Sequence, residues 1–108
     1  MSDLSQKKCV PCEGGTKPLS EEIVNQFLPQ IPTWDIKDGK VHKKFKFKNF
    51  KEAMAFVNKV AEIAQQEGHH PDIYIFYNKV ELNLITHAIG GLSENDFIVA
   101  AKIDELTI

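Results

Sequence analysis

The sequence predicts an α+β fold of order α-β-β-α-β-β-α, with a four-stranded antiparallel sheet and its helices packed on one face. Three observations carry this reading. Phe45 and Phe47 alternate with Lys44, Lys46 and Lys48, and Val80, Leu82 and Leu84 alternate with Glu81, Asn83 and Ile85, which is the period of half-buried strands. Each of these runs follows a tight-turn pair, Asp38-Gly39 and Asn78-Lys79, so each belongs to a hairpin. Between the hairpins Ala53, Phe56, Val57, Val60, Ala61 and Ala64 recur at helical spacing, giving one apolar helix face.

Taken in order, residues 1–18 read as a flexible N-terminal arm, because Pro11, Gly14, Gly15 and Pro18 break any periodicity. Residues 19–108 form a single domain. Ser20 is the N-cap of the first helix, Glu21 and Glu22 suit its positive end, and Leu19 with Val24 can staple its entry. Pro29 and Pro32 close it. Trp34-Asp35-Ile36 is a short strand, and the run from His42 to Lys48 is its hairpin partner. The lysine row is read as a solvated sheet face or protected edge, and His42 is given no role. Asn49, with Glu52 three residues on, caps the long second helix, and Gly68 stops it. Ile73 to Tyr77 and Val80 to Thr86 are the second strand pair. Gly90-Gly91 breaks the chain, and Ser93-Glu94-Asn95-Asp96 is a capping box opening the last helix. Phe97, Ala100, Ala101 and Leu106 supply much of its buried face.

At 108 residues the chain makes one domain, small enough to gain from oligomerisation. The strand Ile73 to Tyr77 is apolar on both faces, and helices on one side of a sheet cannot cover both. A second copy is the simplest cover, so a homodimer or homotetramer is expected. The formal net charge of −2 gives no case for nucleic acid. No run of 18 apolar residues is long enough to span a membrane, and Met1 to Lys8 lacks a signal-peptide core, so a cytoplasmic protein is expected.

The chemistry concentrates in Glu67-Gly68-His69-His70-Pro71-Asp72, Thr86-His87 and Ser93-Glu94-Asn95-Asp96. Imidazole both donates and accepts protons near neutral pH, so three histidines with a carboxylate suit acid–base catalysis without a cofactor. Adjacent His69 and His70 face one pocket only if the chain turns there. Pro71 makes such a turn plausible, and otherwise they are two surface histidines at a helix C-terminus. His87 ends a strand on its polar face, and its plain alternative is a partly buried histidine bonded to a backbone carbonyl. Asp96 is the capping-box acid, a role compatible with orienting an imidazole. Cys9-Val10-Pro11-Cys12 is a CxxC, but no second CxxC or HxxxH completes a zinc site and no βαβ unit frames a redox pair. Two free thiols on an arm are expected, and no metal.

His69-His70-Pro71-Asp72, Tyr77-Asn78-Lys79-Val80, Thr86-His87 and Gly90-Gly91-Leu92-Ser93 through Asp96-Phe97, in this order and spacing, resemble the pterin-4a-carbinolamine dehydratases. The resemblance covers roughly residues 19–108. It implies the same architecture and a hydro-lyase acting on 4a-hydroxytetrahydrobiopterin, recycling the pterin cofactor of aromatic amino-acid hydroxylation. It further implies His69, His70 and His87 as the catalytic set, Asp96 orienting one imidazole, and Pro71 at the substrate. No metal, nucleotide or flavin is needed, in keeping with the lack of a Walker or GxGxxG loop. Members can also serve as dimerisation partners of a transcription regulator, so a regulatory binding module is the competing expectation.

Overall fold

The computed structural model describes residues 3–9 and 17–106. Helix α1 (Glu21–Phe27) begins where the Ser20 hydroxyl accepts the Ile23 N–H, with Glu21 and Glu22 in its first turn. A 3-10 turn (Leu28–Gln30) containing Pro29 follows and delivers Ile31 to the core.

Strands β1 (Asp35–Lys37) and β2 (Lys40–Lys46) are joined by Asp38 and Gly39 at φ 53° and 75°. Two positive φ values are the geometry of a two-residue turn that follows the twist of its hairpin. Strand β3 (Asp72–Phe76) pairs with β4 (Lys79–Leu84), and β4 pairs with β2, giving the antiparallel order β1-β2-β4-β3. The second turn falls one residue earlier than expected, at Tyr77-Asn78, with Phe76 opposite Lys79. Asn78 explains the shift. Its carbonyl accepts the Phe47 N–H at 2.7 Å and its side-chain amide donates to the Phe47 carbonyl at 3.0 Å, which locks the turn to the end of β2. The lock holds Tyr77 at φ 55°, uncommon for an aromatic residue.

Helix α2 (Phe50–Glu67) is capped by Asn49, whose side chain accepts the Glu52 N–H at 2.9 Å, and ends at Gly68 in the left-handed region. Helix α3 (Glu94–Asp104) opens with the capping box of Ser93 and Asp96. Both helices lie on one face of the sheet. Val41, Val80, Leu82 and Leu84 pack with Ala53, Phe56, Val60, Phe97 and Ala100 in a single core. The close approach of Gly91 to Pro18 pins the start of the domain: a Cβ at Gly91 would lie 2.6 Å from Pro18 Cβ, and next to it the Leu19 N–H donates to the Leu92 carbonyl.

One expectation needs correction. Helix α3 buries Ile98, Val99 and Ile103 besides Phe97, Ala100 and Ala101, so it is apolar nearly all round and requires cover on its outer side. The flexible arm expected over residues 1–18 supplies it with residues 3–9. A 3-10 turn (Asp3–Gln6) lies on α3, Leu4 is fully buried, and the Ser5 hydroxyl donates to Glu105 at 2.9 Å. Pro11, Cys12, Gly14 and Gly15 lie outside the described residues.

Among the described residues the other face of the sheet carries no helix. Cross-strand register places Lys37, Lys40, Lys44, Lys46 and Lys79 there, as the alternation predicted. His42 shares this face yet is buried, its ring nitrogens each 2.8 Å from a carboxylate, Asp35 and Glu81. Sequence reading gave it no role; it clasps β1, β2 and β4.

Candidate active site

Three pieces of chain converge beside the C-terminus of α2: Gly68 to His70, Ile85 to Ala88 after β4, and the first turn of α3. They enclose an open cleft of about 630 Å³, lined among others by His69, His70, His87, Gln65, Glu67 and Cys9. That volume suits a small heterocycle. A smaller cleft of about 320 Å³ lies on the helix-free face beside Lys37, Lys40, Tyr74 and Phe76, and none of the candidate residues lines it.

Gly68 sets the geometry. Its φ of 65° turns the chain out of α2 at little steric cost, and the His69 N–H still reaches the Ala64 carbonyl at 3.2 Å. Both His69 and His70 then line the cleft, which sequence reading allowed only if the chain turned. The His69 side chain is 12% exposed, and its Nε2 lies 2.6 Å from Asp96 Oδ1. A carboxylate only accepts, so Nε2 carries the proton of this contact and Nδ1 is left for exchange.

Asp96 is fully buried. Its Oδ2 accepts the Ser93 N–H and the Thr86 hydroxyl, each at 2.9 Å, and Thr86 Oγ1 is also 2.7 Å from Ser93 Oγ. One carboxylate therefore caps α3 and hydrogen-bonds His69. Three donors stand in for lost hydration, the condition for burying such a group. Among the described residues no buried side-chain polar atom lacks a partner. Thr86 was noted in the sequence only as part of a motif, and its buttressing role appears only with the fold.

His87 was expected to end a strand. It sits instead in a 3-10 turn (His87–Ile89) just after β4, closed by the Thr86–Gly91 bridge, and it is exposed at the cleft. His70 is also exposed, its Nε2 3.2 Å from the Gln65 side-chain oxygen. Pro71, expected at the substrate, is not among the lining residues. It leads the chain into β3, where its missing N–H costs no ladder bond.

Sequence reading missed Cys9 in the cleft wall and noted Glu67 only as part of a motif. The Cys9 N–H donates to Glu67 Oε1 at 2.9 Å, and Glu67 Oε2 is 3.8 Å from Lys102 Nζ. Burial, then the Glu67 carboxylate, pushes the Cys9 thiol up to about 12. The shift favours the neutral thiol over the thiolate, the nucleophilic form. The one available signal was the all-round apolar α3, which implied a cover. Among the described residues no three His, Cys, Asp or Glu side chains cluster as a metal site, and Cys12 lies outside them.

The chain is thus a small α+β domain with three histidines around a cleft, one of them hydrogen-bonded to a buried carboxylate. Comparison with known proteins specifies the family. Residues 17–106 match the family model described as pterin 4 alpha carbinolamine dehydratase. Relatives from Nitrosospira multiformis and Rubrobacter xylanophilus are 53% and 45% identical, each over 98% of this chain and over 94% and 100% of their own length. Both carry the name "Putative pterin-4-alpha-carbinolamine dehydratase". A solved structure described as a transcriptional coactivator/pterin dehydratase from Brucella melitensis superposes with a TM-score of 0.76 at 33% identity, covering 82% of this chain and 96% of that one. The chain belongs to the pterin-4a-carbinolamine dehydratase family, whose members are hydro-lyases.

Proposed function

We propose that this protein dehydrates 4a-hydroxytetrahydrobiopterin by histidine acid–base catalysis, giving the quinonoid dihydropterin and water. The observation that carries the reading is the His69–Asp96 pair at 2.6 Å in a cleft shared with His70 and His87. The C4a hydroxyl leaves poorly as hydroxide, so a protonated imidazole delivers a proton to it as the C–O bond breaks. The N5 lone pair forms the C4a–N5 double bond, and a base removes a ring N–H proton. One proton enters and one leaves, which an acid and a base in one cleft accomplish; such assistance is typically worth about 10²–10⁴-fold in rate. Asp96 holds the His69 ring and fixes which nitrogen exchanges the proton. His70 and His87, both solvent-accessible, supply the second proton-transfer group and a substrate contact. The product feeds reduction of the pterin that aromatic hydroxylation consumes.

The reading includes a cytoplasmic location, a homo-oligomer and no metal or organic cofactor. The regulatory-module alternative draws on the coactivator half of the Brucella structure's description, said of that protein. The complete set of His69, His70, His87 and Asp96 favours the enzyme.

Purified protein should accelerate dehydration of the carbinolamine equally with and without a chelator. Single His→Ala changes should differ in kind: loss of a proton-transfer group lowers kcat by roughly 10²-fold or more at similar KM, and loss of a positioning group mainly raises KM. Wild-type turnover in all three variants would refute the site, and activity lost to a chelator and restored by zinc would refute the cofactor-free mechanism.

A further inference from the structure

The chain at residues 3–9 takes no part in the proton chemistry, yet it is built into the cleft. Cys9 lines the same cavity as the three histidines. It is fastened to both elements that carry the His69–Asp96 pair. Its N–H donates to Glu67, the last residue of α2, at 2.9 Å, and its sulfur lies 3.8 Å from the Asn95 carbonyl on α3, beside Asp96. Behind it the segment is anchored at several points. Leu4 is 1% exposed in the core, the Ser5 carbonyl accepts from Lys102 at 2.9 Å, and the Lys7 ammonium pairs with Glu94 at 2.6 Å. Lys102 also faces Glu67, so one cation ties the segment, α2 and α3 together. The burial that raises the Cys9 thiol leaves it neutral and compact, a surface against which a flat ring packs without desolvating a charge.

We propose that residues 3–9 form a fixed wall of the substrate cleft and that Cys9 is its substrate-contacting residue, a specificity determinant that sets the width available to the pterin ring. This rests on the reading of the cleft as a pterin site. It requires no reactivity of the thiol: the wall acts by shape. Closely fitted apolar walls discriminate by about 10–200-fold per methylene-sized change. Enlarging Cys9 should therefore weaken substrate binding while leaving proton transfer intact.

The test uses the full chain and the variants Cys9→Ser, Cys9→Met and Cys9→Phe. Turnover is measured with 4a-hydroxytetrahydrobiopterin and binding with a stable dihydropterin. Cys9→Ser, nearly the same size, is the size control and should shift KM far less than Cys9→Phe does. Cys9→Phe should raise KM, and weaken dihydropterin binding, by about tenfold or more with kcat within about twofold. Cys9→Met can seat its flexible chain without moving the backbone, and carries the same expectation if Cys9→Phe melts early. A purely structural role would instead lower the melting temperature with no split between KM and kcat. If the wild type is active and both enlarged variants keep its KM, the wall is overturned and the dehydratase reading stands. If the wild type neither turns over the carbinolamine nor binds dihydropterin, both fall.

Discussion

Asp96 is where fold and chemistry meet. It satisfies the Ser93 N–H, the Thr86 hydroxyl and His69 Nε2 at once. Asp96→Ala takes the acceptor from the Ser93 N–H and from His69 Nε2 and leaves the Thr86 hydroxyl only its Ser93 Oγ contact. One unmet buried group costs about 1–3 kcal/mol, so this variant should lose stability as well as activity. Asp96→Asn keeps the size and an oxygen for the Ser93 N–H but loses the charge that holds the His69 proton, so it should lower kcat by roughly 10²-fold with a smaller loss in melting temperature. Thermal melts beside kinetics separate the two; a fully active Asp96→Asn would reduce the aspartate to a helix cap. Cys9 gives a second test at this scale. Its thiol is raised from 9.0 to about 12. The native state thus holds this proton more tightly than the unfolded chain does. Its contribution to stability is complete below pH 9 and is lost as pH rises toward 12. In a Cys12→Ser background, iodoacetamide at pH 8 should modify Cys9 far more slowly in the native protein than in urea, since the thiolate is the nucleophile. Equal rates would show the N-terminal segment undocked.

At the scale of elements, sequence and structure agree where a signal is local. Ser20, Asn49 and Ser93 each cap the helix expected of them, and Asp38-Gly39 turns its hairpin. Disagreement arises where a distant partner decides. The Asn78 bonds to Phe47 moved a turn by one residue, and α3 recruited residues 3–9 as a cover. The site divides the same way. His69, His70 and His87 were legible as residue types near turns, and their convergence on one cleft was carried by the family resemblance rather than by spacing. The roles of Thr86, Cys9 and Glu67 were not legible, because each acts through a contact that exists only once the chain is folded. Gly68 joins α2 to the site, and the two are coupled through it. A side chain there would meet no neighbouring atom, so the cost of Gly68→Ala is backbone strain alone, about 1–2 kcal/mol for the left-handed region. A melting temperature lower by roughly 4–16 °C follows. Any relaxation of that strain swings His69 away from Asp96, so kcat should fall too. An unchanged kcat beside the lowered melting temperature would show that the His69–Asp96 contact withstands the strain.

At the scale of the whole molecule the two edges of the sheet differ. Strand β1 is three residues long with charged Asp35 and Lys37, the usual protection of an edge. Strand β3 forms the opposite edge with no charge from Ile73 to Tyr77. There Tyr74, Ile75, Phe76 and Tyr77 are 43%, 38%, 58% and 67% exposed. The helices on the core side leave Ile75 open, and Tyr77 stands at the turn beyond them. Such an edge presents unpaired backbone groups beside apolar side chains, a template for a further strand. A second copy adding its own β3 would continue the sheet across the junction, bond the free N–H and C=O groups, and shield Ile75 and Tyr77. The lysine-bearing face would stay open to water, because edge pairing leaves sheet faces free. The expected outcome is a homodimer or larger. Sedimentation at micromolar concentration should show a species at least twice the 12.2 kDa of the chain. Ile75→Lys places a charge on this edge, the device that other edge strands use against pairing, and should shift the protein toward monomer. The cleft lies beside the C-terminus of α2, and no β3 residue lines it. A monomeric Ile75→Lys that keeps its turnover would place catalysis within one chain. A wild type that sediments only as monomer would overturn the edge as an interface and leave those four side chains exposed for another partner.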